Sequence, residues 1–338
     1  MPDTTFPLQH LGVLTLGRFD PTDPARGHES AIWLFEQAEQ LGFDSAWLRQ
    51  RHLETAISSP LSVIAAASRS TERIALGTAV IPLGGENPFR LAEDFHTVDL
   101  LTGGRLNPGF SVGTPMNWQY YRDAIYPGTW EAEDLSHARA DRLLGLLRDP
   151  VVYRDEVEGD LSTRTIQPHS PGLVDRVWYG AGSIESAEWG ARRGLNLLTS
   201  NVVKSHDGDL DFTRNTHRVI RAYLDAHPDP ASARISGGLV IIPTDGATPS
   251  QKAKYKAYTD ERDARVEKTF GPKQSLFQRD ILAPAAEIIE RLQEDPGFAL
   301  VTDTAFALPF PFDDEDYAQI LGDIRHLIGP ELGWQPKA

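Results

Sequence analysis

The chain has 338 residues, of which 40% are hydrophobic, and its formal net charge is -15. This excess of acidic side chains argues against nucleic-acid binding, which depends on Lys and Arg side chains that neutralise phosphates. The chain contains no cysteine, and this excludes disulfides, thiolate nucleophiles and metal centres with cysteine ligands.

None of the usual signals for export or membrane insertion is visible in the sequence. Residues 1–7 contain neither a basic segment nor an apolar run, so a signal peptide is not expected. No apolar stretch reaches the roughly 18 residues that a membrane-spanning helix needs. We therefore expect a cytoplasmic protein that does not interact with membranes.

Short apolar runs and amphipathic helical stretches alternate along the chain. Strands are predicted at residues 11–16, 45–49, 73–81, 105–112, 176–180, 195–200, 235–242 and 298–302. Helices are predicted at residues 29–41, 60–70, 89–101, 183–193, 211–226, 250–270, 285–294 and 314–328. Such alternation is typical of parallel strands joined by crossover helices. About eight strand–helix units predict an α/β protein of the (β/α)8 TIM-barrel type.

Three segments do not fit this repeat of strands and helices. Residues 114–130 are rich in aromatic side chains, residues 150–170 resemble a β-hairpin, and residues 271–284 interrupt the seventh unit. Insertions in a barrel often form lids or partner surfaces, and we expect these at the carboxyl ends of the strands. No linker divides the chain, so residues 1–338 are predicted to form a single domain.

The first candidate site is the end of the second predicted strand, where Arg51 and His52 follow residues 45–49. Side chains at the carboxyl ends of barrel strands face the active site. A histidine there can titrate near neutral pH and exchange a proton with a reacting group, and an arginine can hold an anion. The alternative is a surface loop with ordinary charges.

Two further strand ends carry small residues. Gly77 is followed by Thr78, Ala79 and Val80, and the fourth strand ends at Ser111. Small residues allow a ligand to approach the backbone closely, so a flat ring could lie here. The alternatives are a plain buried strand at the first position and a polar turn residue at the second.

The remaining candidate is a phosphate site, where a strand passes through small residues into a helix. Gly182 precedes Ser183, which can cap the helix, and Ser186 adds a hydroxyl group in the first turn. The unpaired N–H groups and the positive dipole end of a helix suit a phosphate. Helix capping alone would favour the same serines. A dinucleotide-binding fingerprint is not supported, because its third glycine would fall at Glu185.

The remaining polar groups are assigned structural roles. We expect Asp99 and Arg105 to form an ion pair that stabilises the fold. The sequence has no His-x-x-x-His pattern and no tight carboxylate cluster, so no metal site is predicted. It also lacks the Gly-x-Ser-x-Gly pattern that would indicate a hydrolase.

Together these segments resemble the bacterial luciferase-like flavin-dependent monooxygenase family, most closely over residues 41–113 and 177–200. The resemblance implies a barrel that binds reduced FMN at the carboxyl ends of its strands, with a non-prolyl cis peptide between Ala79 and Val80. His52 and Arg51 would line the reaction site as catalytic residues. The residues that would contact the cofactor are Thr78, Ala79, Val80, Ser111, Gly182, Ser183 and Ser186.

The resemblance also implies a reaction. In this family oxygen adds to the reduced flavin, and the adduct oxygenates a small organic substrate. A separate NAD(P)H-dependent flavin reductase usually supplies the reduced FMN, and homodimers are common. We therefore expect a two-component monooxygenase with a reductase partner and a homodimeric state.

Some positions depart from the luciferase pattern. The luciferase second strand ends Glu-His-His, whereas the corresponding residues here are Gln50, Arg51 and His52. A luciferase arginine that grips the flavin phosphate is replaced by Val112, so other groups must bind the phosphate. Two alternatives remain open: an oxidoreductase that uses a deazaflavin for hydride transfer, and a non-catalytic flavin-binding subunit.

Overall fold

The computed structural model describes residues 8–157 and 160–336. The expectation of no signal peptide concerns residues 1–7, which lie outside the described residues. The strands are β1 Gly12–Thr15, β2 Ser45–Leu48, β3 Ala75–Thr78, β4 Ile81–Pro82, β5 Leu106–Asn107, β6 Gly109–Ser111, β7 Val151–Val157, β8 Asp160–Thr165, β9 Trp178–Gly180, β10 Asn196–Leu198, β11 Val202–Lys204, β12 Ile235–Gly237, β13 Ile241–Pro243, β14 Ser275–Phe277, β15 Ile281–Ala283, β16 Asp303–Thr304 and β17 Phe306–Ala307. The α-helices are α1 Pro24–Gln40, α2 Pro60–Ala67, α3 Pro88–Leu101, α4 Trp118–Ile125, α5 His137–Arg148, α6 Ile184–Ala191, α7 Phe212–Ala226, α8 Pro249–Asp263, α9 Ala285–Glu294 and α10 Asp314–Asp323.

Most strands join into one closed ring of parallel neighbours. One sheet has the order β17-β1-β2-β3-β5, and another has the order β16-β12-β10-β9-β6-β4. Every neighbouring pair in both sheets is parallel. The pairs β3 and β4, β5 and β6, and β16 and β17 are each two parts of one barrel strand, so the two sheets share three strands. Together they form eight strand positions in chain order, and the predicted (β/α)8 TIM barrel is confirmed.

The helices between these strands cover the outside of the barrel, and α3 shows how the sequence forms them. The side chain of Asn87 accepts hydrogen bonds from the first free N–H groups of the helix, and Pro88 occupies the first helical position, where its missing N–H costs nothing. Leu91, Phe95 and Val98 recur about every turn and are buried. One face of α3 therefore packs on the barrel.

Two tryptophan rings fill the interior of the barrel. The rings of Trp47 on β2 and Trp178 on β9 meet edge to face, with their centroids 5.4 Å apart. Both are buried, and each ring N–H has a partner: Trp47 donates to Ser45 and Trp178 donates to Asn107. A filled interior leaves the strand ends as the place for a ligand.

The three insertions lie at different ends of the barrel. Residues 114–130 follow β6 and contain α4, and residues 271–284 contain β14 and β15 within the connection from β12 to α9. These two segments extend from the carboxyl ends of strands, as expected. Residues 150–170 contain the antiparallel hairpin of β7 and β8. This hairpin instead connects α5 to β9, which places it at the amino end of the next strand.

The expected ion pair between Asp99 and Arg105 is wrong. Asp99 is fully buried and pairs with Arg176, whose Nη2 lies 2.8 Å from Oδ2, and it also accepts a hydrogen bond from Ser170 at 2.5 Å. Arg105 turns the other way and donates to the carbonyl oxygen of Thr71 at 2.9 Å, in the turn after α2. The face of α3 that carries Asp99 points towards the segment before β9, which sequence spacing does not reveal.

Gly109 lies where β6 passes the end of β3. A Cβ atom at this position would lie 1.9 Å from the carbonyl oxygen of Thr78. We predict that Gly109→Ala lowers the free energy of unfolding by about 1–3 kcal/mol, because the backbone would have to move. The control is Gly145→Ala, at an exposed position of α5 with nothing within 4 Å, which should gain about 0.5–1 kcal/mol. Urea unfolding measures both changes, and equal effects would contradict the prediction.

Candidate functional site

A cavity of about 360 Å³ lies at the carboxyl ends of the barrel strands. Each of the eight strand positions contributes a lining residue at its end or just beyond it. These residues are Leu14, Arg49, Ala79, Ser111, Gly180, Leu198, Gly238 and Ala305. The volume lies within the range of small-molecule sites. The convergence of all eight strand ends makes this cavity the candidate site.

A larger groove of about 610 Å³ lies elsewhere, between the first turn of α7 and the end of α9. It does not collect the ends of the barrel strands, which is where barrel enzymes place their chemistry. We therefore base the site on the smaller cavity.

The third strand supplies an apolar ledge to the cavity. The peptide bond between Ala79 and Val80 is cis, as predicted, and both residues line the cavity. Gly180 faces them, and a Cβ atom on it would lie 2.9 Å from Cγ1 of Val80. The glycine therefore lets the side chain of Val80 pack directly against the backbone of β9.

Thr78, which was expected to contact a cofactor, lies beneath this ledge. It is fully buried and is not among the residues that line the cavity. Its hydroxyl group donates to the carbonyl oxygen of Gly109 at 2.8 Å and accepts from the N–H of Gly109 at 2.8 Å. The Thr78–Gly109 pair of hydrogen bonds thus fixes the third strand against the fourth.

The structure separates the two predicted catalytic residues. Arg51 lines the cavity, whereas His52 lines a neighbouring cavity of about 340 Å³ together with Gln50 and Glu86. Successive side chains of an extended segment point to opposite sides, which explains the separation. The ring of His52 lies 5.0 Å from that of Tyr121. Burial lowers the pKa of His52 from its ordinary value.

Three cationic side chains line the cavity: Arg49, Arg51 and Lys273. None of the described lining residues is Asp or Glu. Burial, together with the nearby positive charge of Arg51, lowers the pKa of Arg49 to about 9. A cavity with this charge pattern favours an anionic ligand.

The sequence interpretation missed two of these cations. Arg49 lies two residues before Arg51, so the alternation of an extended strand would have placed both on one side. The Nζ atom of Lys273 lies over Gly113, only 3.1 Å from the position that a Cβ atom there would occupy. No sequence signal links Lys273 to Gly113, because the two residues are far apart along the chain.

The predicted serines divide between the cavity and the structure around it. Ser111 and Gly182 line the cavity, and the Ser111 hydroxyl group has no hydrogen-bond partner among the described residues. Ser183 and Ser186 are not among the lining residues. Ser183 caps α6 by accepting a hydrogen bond from the N–H of Ser186 at 3.3 Å.

The hydroxyl group of Tyr179 joins α6 to α5. Burial raises the pKa of Tyr179, and a hydrogen bond with the Ser186 side chain partly opposes this rise. The same hydroxyl group lies 3.0 Å from Nε2 of His137. Ser186 is therefore engaged with a buried tyrosine beside the cavity.

Neither a metal centre nor a membrane-spanning helix is found among the described residues. No group of three or more His, Asp or Glu side chains there could hold a metal ion. Among the same residues, no helix is both long enough and apolar enough to cross a membrane.

The fold and the cavity define a (β/α)8 barrel protein with its ligand site at the strand ends. The sequence pattern of the luciferase-like monooxygenases matches residues 10–247, well over half of the chain. The chain belongs to this family.

Individual relatives match parts of the chain. The alkanal monooxygenase alpha chain of the Kryptophanaron alfredi symbiont is 27% identical over 188 residues, which cover 52% of this chain and 49% of the relative. An F420-dependent glucose-6-phosphate dehydrogenase from Intrasporangium calvum is 38% identical over 226 residues, which cover 58% of this chain and 65% of the relative. The chain spans about half to two thirds of the length of the curated relatives that it matches.

A solved structure shares the fold over almost the whole chain. The oxygenating constituent of 3,6-diketocamphane monooxygenase from Pseudomonas putida, in complex with FMN, has a TM-score of 0.66 and 15% sequence identity. The match covers 95% of this chain and 98% of that one. At this level of identity the likeness establishes the fold alone.

We predict that the imidazole of His52 is neutral at pH 7 in the folded protein. Its burial disfavours the charged form, so its titration midpoint should fall below the usual value of about 6.5. The stabilisation linked to the neutral state of His52 is fully present above pH 6.5. It is lost as the pH falls, because only the unfolded chain takes up the proton readily.

An NMR titration of the ring signals, assigned with a His52→Gln variant, measures the midpoint. A value above 6.5 would mean that a carboxylate, rather than burial, dominates the surroundings of His52.

Proposed function

We propose that the protein is a flavin-dependent monooxygenase that uses reduced FMN and O2 to oxygenate a small organic substrate. The observation that carries the proposal is the cavity itself: eight strand ends converge on it, its lining includes the apolar ledge of Ala79 and Val80, and three cationic side chains line it as well. A flat ring and an anionic group are the two chemical features of FMN, and the cavity offers a place for each.

The lining residues fit the two parts of FMN. Ala79, Val80, Ala181 and Leu198 offer apolar surface for the ring. The phosphate would lie towards Gly182 and the start of α6, where Lys273 supplies a positive charge. Lys273 would thus take the role of the luciferase arginine whose position is occupied here by Val112. Ser183 and Ser186 remain predicted phosphate-side residues.

The chemistry that reduced flavin supplies when bound is a pair of electrons for the reduction of oxygen. One oxygen atom then enters the substrate, and the other leaves as water after taking up two protons. The apolar lining of the cavity would exclude bulk water, which limits wasteful side reactions. Arg51 would bind or orient a reacting group inside the cavity, while His52 could act only from the neighbouring cavity.

A second candidate is an oxidoreductase that uses a deazaflavin. The 38% identity to an F420-dependent dehydrogenase over 226 residues favours it. A deazaflavin transfers hydride and does not activate oxygen, so the same cavity would catalyse a different reaction. The reductase partner, the homodimeric state and the cytoplasmic location stay predictions.

We predict that bound reduced FMN is reoxidised by oxygen about tenfold more slowly than free reduced FMN, which corresponds to about 1.4 kcal/mol of added barrier. The protein is mixed without oxygen with reduced FMN or with a reduced deazaflavin, oxygen is admitted, and the return of oxidised absorbance is followed. Tight binding of the deazaflavin alone would support the dehydrogenase. Flavin binding with unchanged reoxidation would indicate a non-catalytic subunit.

The matched variants for this measurement are Gly180→Val and Gly145→Ala. A valine side chain at this position would collide with Val80 and displace the ledge, so this variant should lose flavin binding. Gly145 lies far from the cavity on α5, and its replacement should leave binding and reoxidation unchanged.

We also predict that Lys273→Met weakens FMN by about tenfold or more and leaves riboflavin almost unaffected, since a charge-assisted hydrogen bond contributes about 1.5–3 kcal/mol. The double change Ser183→Ala and Ser186→Ala should weaken FMN a few-fold more than riboflavin. Lys268→Met is the control, because Lys268 is exposed and donates to the carbonyl oxygen of Ala264. Calorimetry gives the affinities, and equal losses for FMN and riboflavin would place the phosphate elsewhere.

A further inference from the structure

Two arginine side chains meet on one side of the cavity without an acidic partner inside it. Arg49 and Arg51 both line the cavity, and no described lining residue is Asp or Glu. The Nε atom of Arg49 donates to the carbonyl oxygen of Ala79 at 3.2 Å. Each guanidinium group has five N–H donors, and within the described part of the chain this is the one hydrogen bond of the Arg49 side chain, which leaves the other donors for a ligand.

The nearest carboxylate compensates this charge only in part. Glu54 lies 3.9 Å from the Nε atom of Arg51, and its own side chain is 36% exposed. It also accepts a long hydrogen bond of 3.5 Å from Asn117. Two like charges in a partly dehydrated site repel each other, and burial together with Arg51 lowers the pKa of Arg49 to about 9. An anion between them would relieve this repulsion.

The arginine pair and Lys273 lie beside the ends of different barrel strands. Arg49 follows β2, whereas Lys273 lies over Gly113, which follows β6. The strand formed by β3 and β4 lies between them. One whole strand position therefore lies between the strand ends that adjoin the two cationic regions. The cavity therefore has places for two anionic groups, and a flavin phosphate would occupy only one.

We propose that Arg49 and Arg51 bind an acid group of the substrate, so that the substrate is a small organic carboxylate or sulfonate. This inference rests on the proposed function, which assigns the phosphate of FMN to the side of Lys273. A planar guanidinium group binds a carboxylate through two parallel hydrogen bonds. The bond from Arg49 to the carbonyl oxygen of Ala79 would position the guanidinium group, and with it such a substrate, beside the ledge proposed for the flavin ring.

The test compares an anionic probe with a neutral probe of the same shape. Calorimetry measures the binding of benzoate, benzenesulfonate and benzamide to the protein with and without oxidised FMN. We expect benzoate or benzenesulfonate to bind at least about tenfold more tightly than benzamide, as one charge-assisted hydrogen bond predicts. Arg49→Met and Arg51→Met should each remove this preference, while Arg51→Lys should retain part of it because the charge remains.

The control variant is Arg279→Met. Arg279 is exposed, pairs with Asp263 and Glu267, and does not line this cavity. It should leave the binding of all three probes unchanged. Thermal unfolding of each variant shows whether it is folded. If a methionine variant does not fold, the charge-retaining Arg51→Lys variant is used in its place.

The affinities for FMN and riboflavin, measured in the same variants, separate the two sources of an anion. An unchanged ratio of FMN to riboflavin affinity supports a substrate acid group at the arginines. A ratio that falls in Arg49→Met or Arg51→Met would place the phosphate there and overturn the inference. Equal binding of benzoate and benzamide to the unaltered protein would also overturn it. Failure to bind any flavin would instead contradict the proposed function.

Discussion

The parallel closure of the barrel is the constraint on which the rest of the structure depends. Because all eight strands run in the same direction, their carboxyl ends meet around one opening, and residues distant in sequence become neighbours. The rings of Trp47 and Trp178 fill the interior of the barrel beneath this opening. The hydrogen bonds between Thr78 and Gly109 hold the third and fourth strands together directly beneath the ledge.

The charge of the cavity lining is opposite in sign to the net charge of the whole chain. The formal net charge is -15, yet the described lining of the cavity is cationic and contains no carboxylate. Local groups dominate inside a cavity, because water and salt screen the acidic side chains at the surface. Holding Arg49 beside Arg51 costs stability in the free protein, and an anionic ligand would return that free energy on binding.

The candidate site could be predicted in part. Arg51, Ala79, Val80, Ser111 and Gly182 line the cavity, and their positions follow from the rule that strand ends face the active site. The rule does not say which of two successive side chains points inward, so it did not separate Arg51 from His52. Nor does it distinguish a serine that contacts a ligand from one that caps a helix, as Ser183 does.

The sequence by itself determined the alternation of strands and helices, and with it the barrel and the family, because both depend on local periodicity and on motif order. Only the tertiary structure decided which distant residues meet. It brought Lys273 over Gly113, paired Asp99 with Arg176 instead of Arg105, and placed the hairpin of residues 150–170 at the opposite end from the cavity. These contacts depend on side-chain direction and on packing between helices and strands, and no spacing along the chain encodes either of them.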